Sequence, residues 1–208
     1  MAAKSTLKNM VLCLFGTTLI CSAVLAGVYA VTKQPIEETN KAILTASISK
    51  VLPEGGEISD AQTCEVGGQP SECWFSMKDG QMVGVAVKST VVGFGGPLTI
   101  MVGILPDGTI YNTSVLSQSE TPGLGAKCTD ENFFGQFKGW NPEQKKLLVK
   151  KDGGDVDAIT ASTITSRAYT LAVQNALYAL TPLPLEGGEP VVEGEALPVA
   201  EDQTVVTE

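Results

Sequence analysis

Apolar residues fill the chain from Met10 to Val31, 22 positions without a charge. About 20 apolar residues suffice for a helix to cross a bilayer core, so this run predicts one transmembrane helix. Lys4 and Lys8 precede it; Lys33, Glu37 and Glu38 follow. The excess of Lys in the short leading segment sets the N-terminus in the cytoplasm and everything after residue 33 outside it. A cleaved signal peptide is the competing reading, with Val28-Tyr29-Ala30 as its cleavage site. Such peptides carry apolar cores of about 7–15 residues, and the length here favours a retained anchor.

Beyond the anchor the pattern becomes short and periodic. Leu44, Ile48, Val51 and Leu52 form the apolar stripe of a helix over 37–52, stopped by Pro53 and Gly55-Gly56. Apolar segments Trp74–Met77 and Met82–Val87 flank Asp79-Gly80, a tight-hairpin signal. Segments 98–105 and 109–116 flank Pro106-Asp107-Gly108, a second hairpin. Asp130 stands where it would cap a short helix carrying Phe133, Phe134 and Phe137, and Lys146–Val149 reads as a strand. Ala168, Leu171, Ala172, Asn175, Ala176 and Ala179 recur at spacings of three and four, one face of a helix over 166–180. A helix, an antiparallel run and then mixed elements predict an α+β fold with a mainly antiparallel sheet and flanking helices. The predicted organisation is a cytoplasmic N-terminus and anchor (1–33), one extracytoplasmic domain (34–181), and an acidic tail (182–208). The tail is rich in Pro, Gly and Glu and has no periodicity, which predicts disorder.

Charge and composition narrow the chemistry. The net charge is −9, but seven acids (Glu186, Glu189, Glu193, Glu195, Glu201, Asp202 and Glu208) lie in the tail, so the body is near neutral. That excludes the basic face a nucleic-acid partner requires. The chain has no His, which removes the usual metal ligand and the usual general base at neutral pH. No metal site and no catalytic triad are predicted. Of five Cys, Cys13 and Cys21 lie in the anchor. Cys64, Cys73 and Cys128 form no Cys-x-x-Cys pair, and Cys64 with Cys73 are either a short disulfide or free thiols.

Three segments carry candidate chemistry. Asp157-Ala-Ile-Thr-Ala-Ser-Thr-Ile-Thr-Ser166 sets five hydroxyl side chains ahead of the last helix. Ser and Thr are ordinary N-caps, yet a helix N-terminus also suits a phosphate, and Gly153-Gly154 upstream suggests flexibility. Ser119-Glu-Thr-Pro-Gly-Leu-Gly-Ala-Lys127 is a turn-rich loop with Pro122-Gly123, and Gly93-Phe-Gly-Gly-Pro-Leu98 precedes the apolar run 99–105.

Taken in this order, the three segments resemble the G subunit of the Rnf electron-transport complex, and more distantly the C subunit of the sodium-pumping NADH:quinone reductase. The resemblance spans roughly residues 5–180. It implies FMN joined through its phosphate to the hydroxyl of Thr163, with Asp157, Thr160, Ala161, Ser162 and Thr165 as neighbouring contacts or recognition residues. The opposing wall would come from Glu120, Thr121, Leu124 and Gly125. The chain departs from the commonest core, Ser-Gly-Ala-Thr, with Thr160-Ala161-Ser162-Thr163, so Ser162 offers a rival hydroxyl. Gln118 and Ser119 occupy the place where the family often has His. No catalytic residue is implied, because a separate flavin transferase installs the FMN. The implied role is electron transfer within a membrane complex coupling ferredoxin and NAD to Na+ or H+ movement. The implied partners are its other membrane and peripheral subunits, the flavin transferase and membrane lipid. The alternatives are a stand-alone anchored flavoprotein and a cofactor-free anchored binding or scaffold protein.

Overall fold

A computed structural model of the protein describes residues 7–179. Lys4 and the acidic tail lie outside these residues.

The predicted anchor and the predicted helix over 37–52 are one element, helix α1 (Leu7–Val51). At 1.5 Å per residue its 45 residues extend roughly 68 Å, about twice the thickness of a hydrocarbon core. Pro35 lies inside it. Proline removes one intrahelical hydrogen bond, and here the Thr39 hydroxyl donates to the Pro35 carbonyl at 2.7 Å. It is long and apolar enough to cross a membrane, and its apolar window is wholly exposed. Only its last turns are buried, through Ser47, Ile48 and Val51.

The sheet has six strands: β1 (Glu57–Ile58), β2 (Gln62–Val66), β3 (Gln69–Lys78), β4 (Gln81–Val92), β5 (Pro97–Ile104) and β6 (Ile110–Ser117). Its order is β1-β3-β4-β5-β6, with β2 also on β3, and every pairing is antiparallel. Both predicted hairpins form. Asp79 (φ 53°) and Gly80 (φ 78°) make the two-residue turn between β3 and β4, whose left-handed backbone matches strand twist. A third hairpin at Gly67-Gly68 (φ 59° and 77°) joins β2 to β3. It brings Cys64 and Cys73 onto neighbouring strands, where both are free thiols.

Strand alternation gives the sheet two buried faces. Ala86 and Met101 pack with Trp74 against Ile48, Val51 and Leu52 at the end of α1. Gly103 permits this approach, since a Cβ there would lie 1.7 Å from the Val51 carbonyl oxygen. On the other face Val85, Val87, Leu98, Ile100, Val102 and Ile104 meet the main core. That core is closed by helix α2 (Glu131–Phe134) and helix α3 (Thr163–Tyr178). The domain is thus α+β, as the sequence predicts.

Three local expectations are corrected. Asp130 precedes α2, but its side chain makes no capping hydrogen bond; its carbonyl receives the Phe133 and Phe134 N–H groups instead. Lys146–Val149 is not a strand: Val149 makes one isolated parallel bridge to Val156, followed by a 3-10 turn over Lys150–Asp152. Leu171 does not belong to the buried face of α3. It is 48% exposed, whereas Tyr169, Ala172, Val173 and Ala176 are fully buried. The small alanines let α3 lie close to the sheet, which rotates the buried face toward Tyr169 and Val173.

Candidate functional site

The fold brings the three glycine- and hydroxyl-rich segments together around one side chain, Glu120. This carboxylate is 6% exposed. Its Oε1 accepts the Phe94 N–H at 2.8 Å, and its Oε2 accepts the Thr165 hydroxyl at 2.8 Å. Gln118 Oε1 accepts the Glu120 N–H at 2.6 Å and so shapes the loop from within. Two glycines make room for this carboxylate: a Cβ on Gly93 would lie 1.9 Å from Oε1, and one on Gly125 would lie 2.6 Å from both Oε2 and Thr165 Oγ1. The glycines of two segments are therefore a consequence of an acid held between them.

A cavity of about 360 Å³ opens beside this junction. One wall is Glu120, Thr121, Leu124 and Gly125; the other is Ala161, Ser162, Thr163, Ile164 and Thr165; Phe94 stands at the edge. Eight of the ten sequence-predicted contact residues are thus assembled. Thr160 and Asp157 do not line it. Thr160 is exposed. The Asp157 carboxylate points to Lys150 at 2.7 Å, while its backbone N–H and carbonyl pair with the Gln136 side chain. Its contribution is to fasten the segment ahead of α3 to the α2 region.

The approach to α3 is tightly determined. Ala161 has φ 60°, a left-handed conformation that an L side chain adopts at a cost, and this is the position where the resembled core has Gly. Ser162, a buried residue, precedes the helix and makes no capping bond from its side chain. Ser166 instead ties the approach to the helix, its Oγ accepting the Ile159 N–H and donating to the Ser162 carbonyl, both at 2.9 Å. Thr163, the first helical residue, is half-buried on the cavity wall. Its Oγ1 accepts a hydrogen bond from Lys151 Nζ at 3.1 Å.

Lys151 belongs to the turn over 150–152. Gly153 (φ 81°) reverses the chain there, and a Cβ on Gly154 would lie 2.1 Å from the Leu148 carbonyl oxygen. Gly153 supplies the left-handed turn and Gly154 the close packing, a defined bend rather than a flexible lead-in. Asp152 accepts two hydrogen bonds from Arg167 of α3, at 2.6 and 2.7 Å, which hold its carboxyl below the usual carboxylate range. Cys128 lies behind the loop; burial, helped by the Glu120 charge, pushes its thiol up to about 11.

Sequence reasoning missed Phe94, Ile164, Gln136 and Lys151. Phe94 sits inside one of the three segments, and Lys151 immediately precedes Asp152-Gly153-Gly154, so position alone marks them. Gln136 carries no signal outside the fold. Among the described residues no cluster of three His, Cys, Asp or Glu side chains is arranged to hold a metal ion.

The family described as "FMN-binding domain" matches residues 93–178, a span containing all three segments. The G subunit of the Na(+)-translocating ferredoxin:NAD(+) oxidoreductase complex of Acetobacterium woodii is 32% identical over 178 residues, covering 78% of this chain and 86% of the relative. The G subunit of the proton-translocating ferredoxin:NAD(+) oxidoreductase complex of Clostridium ljungdahlii is 29% identical over 168 residues, covering 79% and 86%. Among solved structures, the C subunit of the Na(+)-translocating NADH-quinone reductase of Parabacteroides distasonis is 26% identical, with a TM-score of 0.45 over 58% of this chain and 65% of that one. The chain belongs to the G subunits of ion-translocating oxidoreductase complexes.

Proposed function

We propose that this G-type subunit carries FMN covalently, through a phosphoester to Thr163 Oγ1, and relays electrons between partner subunits of a membrane complex. In that complex, electron flow between ferredoxin and NAD would be coupled to movement of Na+ or H+. The observation that carries the proposal is the position of the Thr163 hydroxyl. It stands at the first residue of a 16-residue helix, on the wall of a cavity whose opposite wall is the Glu120–Gly125 loop.

The residues fit the group. Phe94, Leu124 and Ile164 offer apolar surface for a flat ring. The first N–H groups of α3 and the Lys151 ammonium favour a phosphate beside Thr163. Thr160 and Asp157, away from the cavity, are better suited to recognition by the separate transferase. Thr163 is an acceptor rather than a catalyst, because a Thr hydroxyl is a weak nucleophile without an adjacent base and no carboxylate bonds to it. FMN, when bound, supplies the exchange between two-electron and one-electron steps. The protein's part is to fix the ring against the loop and to exclude water.

The proposed placement has α1 crossing the membrane near Met10–Val31, in contact with lipid, with the domain of residues 34–181 on the extracytoplasmic side. The uncharged run and the leading Lys4 and Lys8 support it. External protease applied to intact spheroplasts tests it: cleavage after Lys138 is expected, and full protection would reverse the orientation. Co-purification with polytopic subunits tests the partners; a chain isolated alone with its flavin would favour a stand-alone flavoprotein.

A further inference from the structure

Three consecutive charges, Lys150, Lys151 and Asp152, form the turn facing α3, and two of them are committed. Lys150 pairs with Asp157 at 2.7 Å, and Asp152 pairs with Arg167 at 2.6 Å. Lys151 makes no ion pair among the described residues; its ammonium reaches Thr163 Oγ1 at 3.1 Å. The Asp152–Arg167 pair ties the turn to the same helix that begins at Thr163, and the close packing of Gly154 on the Leu148 carbonyl fixes it from behind. A cation with no ion-pair partner among the described residues is thus delivered to the hydroxyl of the first residue of α3.

From this we infer that Lys151 is the positioning residue for flavin attachment: it aligns the Thr163 hydroxyl and holds the phosphoryl group that becomes bonded to it. The inference rests on the reading that Thr163 is the attachment residue. As a donor, the ammonium occupies a lone pair of Oγ1 and leaves the hydroxyl proton free to depart. In the attachment step, the bond that forms is Thr163 Oγ1–P. The bond that breaks is the P–O bond of a flavin dinucleotide's pyrophosphate, and the nucleoside monophosphate leaves with the bridging oxygen. The hydroxyl proton passes to a base of the transferase, since the ammonium cannot accept it. The diester so made keeps one negative charge on non-bridging oxygens two bonds from Oγ1, within reach of the same ammonium. A charge-assisted hydrogen bond of this kind is shorter and stronger than a neutral one.

The test uses the full chain with its flavin transferase and flavin dinucleotide. Lys151→Met keeps the aliphatic stem and removes the charge; Lys151→Arg restores a cation; Lys138→Met, an exposed lysine away from the cavity, is the control. Lys151 is exposed, so none of these changes touches the core. Attachment is followed by flavin fluorescence in denaturing gels and by the mass of the Thr163 peptide, and folding by the melting temperature of the apoprotein. Loss of a hydrogen bond to a charged group predicts roughly 10- to 100-fold slower attachment in Lys151→Met, recovery to within a few-fold in Lys151→Arg, and no change in Lys138→Met. Melting temperatures should stay together. Wild-type rates in Lys151→Met, equal slowing in Lys138→Met, or no recovery with Arg would overturn the role of Lys151 alone. Flavin found away from Thr163 in the wild type would overturn the underlying reading instead.

Discussion

Thr165 donates its hydroxyl to Glu120 across 45 positions of sequence, at 2.8 Å in the interior of the domain. The bond links the first turn of α3 to the loop on the other side of the cavity. The second carboxylate oxygen takes the Phe94 N–H. Glu120 therefore sets the separation of the cavity walls rather than merely lining one of them. Glu120→Ala would strand the buried Thr165 hydroxyl and the part-buried Phe94 N–H, at about 1–3 kcal/mol for the buried donor. Urea unfolding should register a loss of that order, with poorer flavin loading as its consequence. A variant as stable as the wild type would mean that the walls are held apart by something else.

Ala161 bears a Cβ at φ 60°. The left-handed region costs an L residue roughly 1–2 kcal/mol, which glycine avoids. Replacing it, Ala161→Gly, should raise stability by about 1 kcal/mol in equilibrium unfolding, with flavin attachment retained. A drop in stability would show that the Cβ makes a packing contribution larger than the strain.

The distinction between Leu171 and Tyr169 separates what pattern can and cannot reveal. Apolar spacing identified α3, both long hairpins and the end of α1, because each depends on local chemistry: periodicity, Asp79-Gly80, Pro53. It also selected Leu171, since a repeat of three and four does not fix which side of a narrow alanine face turns inward. Tyr169 is fully buried, with its OH donating to Thr113 Oγ1 at 2.8 Å and its ring stacked near Phe137. Leu171→Asp should thus leave the domain folded, within about 0.5 kcal/mol, whereas Tyr169→Ala should cost about 3–5 kcal/mol. Thermal melts of the two variants check this directly. The false strand at Lys146–Val149 has a similar origin. Leu147 and Val149 are buried and Leu148 is exposed, so the segment alternates like a strand although only one bridge pairs it. Candidate site residues were legible as motifs, but Lys151 and Gln136 gain their roles only from partners distant in sequence.

Burial pushes the Cys73 thiol up to about 12, with Cys64 beside it contributing, and the Cys128 thiol up to about 11, each from an ordinary 9.0. The folded state therefore keeps protons that the unfolded chain releases above pH 9. This contribution to stability is complete below about pH 9 and is lost as pH rises through 11–12. Denaturant midpoints should fall across that window. At pH 7.5 a thiol-reactive label should modify Cys64, which is half-buried, far faster than Cys73 or Cys128 in the soluble domain. Equal labelling of the three would contradict the packing of β3 and of the turn at Cys128.

The central claim is that the Thr163 hydroxyl, facing the cavity opposite Glu120, is where the flavin is attached. It is tested most directly by peptide mass spectrometry of the chain after co-expression with a flavin transferase, for the wild type and Thr163→Ala. The account predicts an FMN-sized mass increase on Thr163 in the wild type, and no covalent flavin in a Thr163→Ala chain of unchanged melting temperature. Full flavin occupancy in Thr163→Ala, or an adduct mapped to the buried Ser162, would contradict it.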